Sequence, residues 1–124
     1  MSKTCILVIE DNIDNLDLIR FLLEQEGYEI LTAMDGKNGL KICEEQKPDM
    51  VLLDLTLPEI DGWHLASRLK KSPETASIRV IAITAHVLPG DRERAFEAGC
   101  DGYITKPLDI NNFPVTIKEY LSSK

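Results

Sequence analysis

Positive charge is scarce in this chain: fourteen lysines and arginines stand against twenty-one acidic residues, a formal charge of −7 over 124 residues. A surface of that balance repels a nucleic-acid duplex or an anionic membrane, and the pair Lys70-Lys71 is too short to reverse it, so neither partner is expected. Cysteine is scarce as well. Cys5, Cys43 and Cys100 are an odd number without metal-ligand spacing, which argues against a metal-thiolate site. The two histidines, His64 and His86, read as a helix-surface and a loop residue, not as metal ligands. No apolar run reaches the length of a membrane span, and "MSKTCILVIE" is too short for a signal peptide, so a reducing cytoplasm is the expected location. There is also no fixed repeat, no low-complexity stretch and no linker. With 44% hydrophobic and 28% charged residues, one compact domain spanning residues 1–124 is expected.

What is present is a fivefold alternation. Apolar runs rich in branched residues occur at 4–9 (TCILVI), 28–33 (YEILTA), 49–54 (DMVLLD), 78–84 (IRVIAIT) and 102–105 (GYIT), each followed by a polar loop and a helix-like segment. Ile13, Leu16, Ile19, Leu22 and Leu23 recur at helical spacing, with Asn12 as a cap and Gly27 as a stop. Further helices are expected after Asp35, Asp61, Pro89 and Asn112. In the last of these Phe113, Ile117, Tyr120 and Leu121 form one apolar stripe, and Pro114 falls in the first turn. Residues 70–77 (KKSPETAS) read as a polar surface loop. Strands alternating with helices predict an α/β fold: a doubly wound, five-stranded parallel sheet with helices on both faces.

Sites in such sheets lie beyond the carboxyl ends of the strands. There the first strand presents Glu10 and Asp11, the third Asp54, the fourth Thr84, and the fifth Thr105, Lys106 and Pro107. Two carboxylates about 4 Å apart repel by roughly 4 kcal/mol at an effective dielectric near 20, so three of them call for cations. Lys106 is one. A donor set of carboxylates and carbonyls, without imidazole or thiolate, suits Mg²⁺ as the other. A carboxylate, a divalent metal, a lysine and a hydroxyl aimed at one point are the parts that accept a phosphoryl group, and Asp54 is the best-placed nucleophile.

Over its whole length the chain resembles the receiver domain of two-component response regulators. The resemblance implies the strand order 2-1-3-4-5. It implies that Glu10, Asp11, Asp54 and the backbone carbonyl of Thr56 hold Mg²⁺ or Mn²⁺, and that Asp54 is the phosphoacceptor. Thr84 matches the switch hydroxyl, Tyr103 the aromatic switch residue, and Lys106 the phosphate-contacting lysine, followed by Pro107 as a cis proline. Glu10 departs from the second aspartate that many members carry, and its longer arm raises the question of direct or water-mediated contact with the metal. The positions that tune dephosphorylation hold Thr56 and His86, neither of which is suited to orient an attacking water. The implied function is a phosphorylatable switch, not a turnover enzyme. Its donor would be a histidine kinase or a histidine phosphotransfer protein. Its downstream protein target would bind the face made by the fourth helix, fifth strand and fifth helix. It would act either alone or as the receiver of a larger protein.

Two other functions compete. A Mg²⁺-dependent phosphohydrolase working through an aspartyl-phosphate would resemble the haloacid-dehalogenase-like enzymes, which need a second aspartate where this chain has Thr56. A flavodoxin-like binder of a phosphorylated cofactor would want a glycine- and hydroxyl-rich loop after the first strand, whereas "EDNID" is acidic.

Overall fold

The computed structural model describes residues 3–55, 62–84, 90–106 and 108–122, with only the backbone of Gly62, Trp63 and Asp91. Strands and helices alternate: β1 (Cys5–Ile9), α1 (Ile13–Glu24), β2 (Glu29–Ala33), α2 (Gly36–Gln46), β3 (Met50–Asp54), α3 (Gly62–Lys71), β4 (Arg79–Thr84), α4 (Asp91–Glu97), β5 (Gly102–Thr105) and α5 (Phe113–Ser122). Every strand pairing is parallel, in the order β2-β1-β3-β4-β5, as expected from the alternating pattern and the resemblance. Helix starts follow from local chemistry. The Asn12 side chain accepts from the Asn15 N–H at 3.0 Å, and Asp35 from the Asn38 N–H at 2.8 Å, each satisfying an amide that the first turn leaves without an intrahelical partner.

Strand alternation divides the interior in two. Leu7, Ile9, Val51, Leu53, Val80 and Ala82 pack with Cys43, Leu65, Ala66, Leu69 and Ala95, from α2, α3 and α4. Ile6, Val8, Met50, Leu52, Ile81 and Ile83 pack with Leu16, Ile19, Leu22, Leu23, Phe113 and Ile117, from α1 and α5. β3 is therefore buried on both faces, which is why it reads as an unbroken apolar run. At Gly39, α2 approaches β1 so closely that a Cβ would sit 2.3 Å from Ile9 Cδ1, so no larger residue fits there without displacing that side chain.

Three details differ from the expectations. Ile13 is the first residue of α1 and lies beyond its buried stripe, 55% exposed. Phe96, which with Leu88 is one of the two large apolar anchors that the sequence offers for the fourth helix, does not anchor α4: it lies on the surface with the Arg92 guanidinium 5.7 Å from its ring centroid, and Ala95 is the buried residue. The segment 70–77 is not simply a solvated loop, because Thr75 is buried and its hydroxyl donates to the Leu69 carbonyl at 2.6 Å.

Candidate phosphoryl-acceptor site

Strand register brings the site together. Ile9 is level with Leu53 across β1 and β3, so the next residues, Glu10 and Asp54, emerge side by side. On the other flank Thr84 is level with Thr105, and the Lys106 N–H donates to the Thr84 carbonyl at 2.8 Å. β4 lies between β5 and β3, so the long arm of Lys106 spans the end of β4 to reach the carboxylates. Its Nζ donates to Glu10 Oε1 at 2.7 Å and to Asp54 Oδ2 at 3.1 Å. Glu10, Asp54 and Thr84 are all buried, and Lys106 is largely so.

Glu10 is held at both oxygens. While Oε1 takes the lysine, Oε2 accepts the Asn12 backbone N–H at 3.1 Å. Sequence reasoning assigned Asn12 only a capping role; the turn that places its side chain on α1 also aims its amide at Glu10. Burial, together with hydrogen bonding to Asp54, pushes the Glu10 carboxyl up to about 7, against the opposing pull of Lys106. For Lys106, burial favours the neutral amine, but the hydrogen bond to Glu10 and the charges of Asp54 and Glu10 outweigh it and raise its pKa. The ammonium therefore persists at neutral pH.

Carboxylate oxygens of Glu10, Asp11 and Asp54 all lie within 4.8 Å of one another, with Asp11 exposed at the mouth. Three carboxylates against one ammonium leave two negative charges, which one divalent cation balances. Two oxygens bound to the same Mg²⁺ are at most about 4.2 Å apart, so the cluster fits this ion after a small contraction. Tyr103 sits one strand outward, half-buried against the core that contains Ala82 and Ala95; its amide lies 3.4 Å from the Tyr120 hydroxyl. Thr56, His86 and Pro107 lie outside the described residues.

The model of the response regulator receiver domain matches residues 6–118. The chain belongs to this family. Receiver domains are the switches of two-component signalling rather than classical enzymes. Among related receivers, the polar-differentiation response regulator DivK of Brucella suis biovar 1 is 40% identical over 121 residues, 98% of either chain. DivK of Brucella anthropi is 40% identical over 116 residues, 94% of either chain. The receiver domain of a sensor histidine kinase from Pseudomonas aeruginosa PAO1, solved with a magnesium ion coordinated in its active site cleft, superimposes with a TM-score of 0.89. The two are 30% identical over 98% of this chain and 100% of that one. A CheY-like receiver from Methanospirillum hungatei JF-1 gives a TM-score of 0.89 at 30% identity, over 97% and 94% of the two chains. Among the described residues of this receiver, no helix is long and apolar enough to cross a membrane.

Proposed function

We propose that residues 1–124 form a single receiver domain in which Asp54 accepts a phosphoryl group from a histidine kinase or histidine phosphotransfer protein. The observation that carries this reading is the Lys106 ammonium bridging Glu10 and Asp54 at the carboxyl edge of the sheet. An Asp54 carboxylate oxygen attacks the phosphorus, the P–N bond breaks, and the donor imidazole leaves with the electron pair. Lys106, already within reach of Asp54, takes up one equatorial phosphoryl oxygen. Asp11, Asp54 and the Thr56 carbonyl, with Glu10 directly or through water, would hold Mg²⁺ or Mn²⁺, which would supply the remaining positive charge. The chain's own chemistry extends to phosphotransfer and slow autodephosphorylation, in the cytoplasm. Incubation with acetyl phosphate and Mg²⁺ should add one phosphoryl group by intact mass; no addition at saturating Mg²⁺ would refute the reading.

Metal binding should release a proton. The Glu10 carboxyl, raised to about 7, is partly protonated near neutrality, and a cation beside it favours the ionised form. Mg²⁺ affinity should therefore rise from pH 6 to pH 8. Calorimetry in buffers of different ionisation enthalpy should detect the released proton, whereas an affinity flat across that range would contradict the assignment. The sign for folding is the reverse. A carboxyl raised in the folded protein favours folding most below its unfolded value near 4.5, and that contribution is lost as pH rises toward 7 in metal-free protein.

Output runs through Thr84 and Tyr103 to the face of α4, β5 and α5, where a downstream protein binds. A phosphoryl group on Asp54 draws the Thr84 hydroxyl toward it, and Tyr103, packed against the core that contains Ala82 and Ala95, turns into the vacated space. Beryllofluoride, a phosphoryl mimic, should shift backbone amides of residues 90–98 and 103–113 in the parent. These shifts should fade in Thr84→Ala; equal shifts in both proteins would rule out the coupling.

A further inference from the structure

β2 is an edge of the sheet, with β1 on one side and, among the described residues, no strand on the other. The Glu29 N–H donates to the Thr4 carbonyl and the Ala33 carbonyl accepts from the Glu10 N–H, so the odd-numbered residues turn their peptide groups toward β1. Ile30 and Thr32 therefore point theirs outward. Proteins commonly guard such an edge with lysine, proline, a bulge or a very short strand. Here the strand is EILTA, five residues paired in unbroken register with β1, and its only charge is Glu29 at the start. Ile30, Leu31 and Thr32 are half-buried, covered by α1 and α2 on the faces of the sheet and open at its rim.

An open groove of about 670 Å³ follows this edge between α1 and α2. Its charged lining is balanced, Asp17 and Arg20 from α1 and Lys41 and Glu45 from α2, although the chain as a whole carries −7. Arg20 also meets Glu24 at 3.5 Å in an exposed pair on its own helix, whereas Asp17, Lys41 and Glu45 have no ion-pair partner among the described residues. Ile13 and Met34, both exposed, line the end of the groove nearest the carboxyl edge of the sheet. Because α1 and α2 each pack across β1 and β2, their axes lie roughly half a strand spacing inside the rim.

We propose that this edge is an interface with a second copy of the chain, formed by antiparallel pairing of β2 with β2 about a twofold axis centred near Leu31. In this register Ile30 faces Thr32 of the second copy and Thr32 faces Ile30, so the outward N–H and C=O groups of both residues find partners. The charges fit the same axis. Asp17 comes opposite Arg20 of the second copy along the two α1 helices, and Lys41 opposite Glu45 along the two α2 helices, each contact occurring twice by symmetry. Strands about 4.8 Å apart put the two α1 axes about 10 Å apart, the ordinary distance for packed helices. Continued past the strand, the register brings exposed Met34 to Tyr28 of the second copy, a favourable sulfur–aromatic contact. A strand from another protein would satisfy the backbone alone; the reversed acid–base order on both walls is what a second copy supplies. Each chain has a single β2 edge, so the assembly closes at two. The interface is independent of the phosphoryl chemistry at Asp54.

Analytical ultracentrifugation of the full chain in EDTA, from about 5 to about 500 µM, tests the dimer. The mass should rise from one chain to two and no further. Asp17→Arg and Arg20→Asp each set like charges against one another twice across the axis, and each should weaken self-association at least about tenfold. Both positions are exposed, and circular dichroism checks that the fold is kept. Mixed in equal amounts, with one of them fluorescently labelled, the two variants should pair with each other at the parent's affinity, because every contact between the α1 helices is again between opposite charges. Amide exchange reads the strand itself. Where about nine-tenths of the parent is dimer, the Ile30 and Thr32 amides should exchange about tenfold slower than in dilute solution, while the Glu29 amide, already bonded to Thr4, changes little. A chain that stays monomeric throughout, or that grows past two, overturns the interface. So does a dimer that the single charge variants leave intact, a mixture of the two that fails to pair, or a dimer in which the Ile30 and Thr32 amides exchange as they do in dilute solution.

Discussion

Asp54→Asn is expected to abolish phosphorylation by acetyl phosphate and by any histidine donor, and at the same time to make the metal-free protein more stable. The two effects share one cause. Asp54 is buried beside Glu10, with Asp11 close by and Lys106 as the compensating cation. Above pH 7 it meets two like charges and one opposite charge, and it has surrendered most of its hydration. Asparagine removes the nucleophile and the repulsion together while keeping an oxygen that can accept from Lys106. Glu10, whose pKa is raised in part by Asp54, should titrate lower in the variant. The stability gain in EDTA should be on the order of 1 kcal/mol, read from thermal or urea unfolding at pH 8. Full labelling retained in Asp54→Asn would remove Asp54 as the acceptor. Lower stability in EDTA would show that the Lys106 contact outweighs the carboxylate crowding.

Lys106→Met should have the opposite and larger effect on stability. Two buried carboxylates lose their only described ammonium partner, and removing one member of a buried ion pair typically costs about 3–5 kcal/mol. The cost should depend on pH in a predictable direction. Without the ammonium, which pulls its raised pKa down, the Glu10 carboxyl holds its proton more tightly still in the folded protein than in the unfolded chain. The variant should therefore fall little below the parent near pH 4.5 and progressively further as pH rises to 8. Mg²⁺ replaces the missing charge, so millimolar Mg²⁺ should restore much of the loss at pH 8, although phosphorylation stays slow without a lysine on the phosphoryl oxygen. Chemical unfolding at pH 5 and pH 8, with and without Mg²⁺, distinguishes this from simple loss of packing, which neither pH nor metal would repair.

Most of the architecture is legible in the linear pattern because a parallel sheet covered on both faces demands what local rules detect. Met50-Val51-Leu52-Leu53 is apolar at every position since both neighbouring cores need filling, and Asn12 and Asp35 mark helix starts through hydrogen bonds spanning three residues. Glu10, Asp11, Asp54, Thr84 and Lys106 could be collected before any coordinates because parallel strands all end at the same edge. The features that escaped are those decided across long separations. Whether Ile13 and Phe96 are buried depends on how far a helix overhangs the sheet. Lys70 looks like a solvated charge until Asp101, Ala76 and Ile78 are brought to it, and Thr75 looks like loop until the Leu69 carbonyl turns toward its hydroxyl. The Asn12 amide on Glu10 combines two local features that are each readable, an acidic pair and a cap, into a contact that neither announces alone.

The division of each strand between two interiors also supplies a blueprint for chimeras. Ile6, Val8, Met50, Leu52, Ile81 and Ile83 answer only to α1 and α5, while their immediate neighbours in sequence answer to α2, α3 and α4. α1 and α5 can thus be exchanged for those of another receiver as a cassette, provided that those six strand positions travel with them, together with Ile30 of β2 and Ile104 of β5 on the same side. The opposite interior, under α2, α3 and α4, would then need no redesign, and the face made by α4, β5 and α5 would be rewritten through α5 alone.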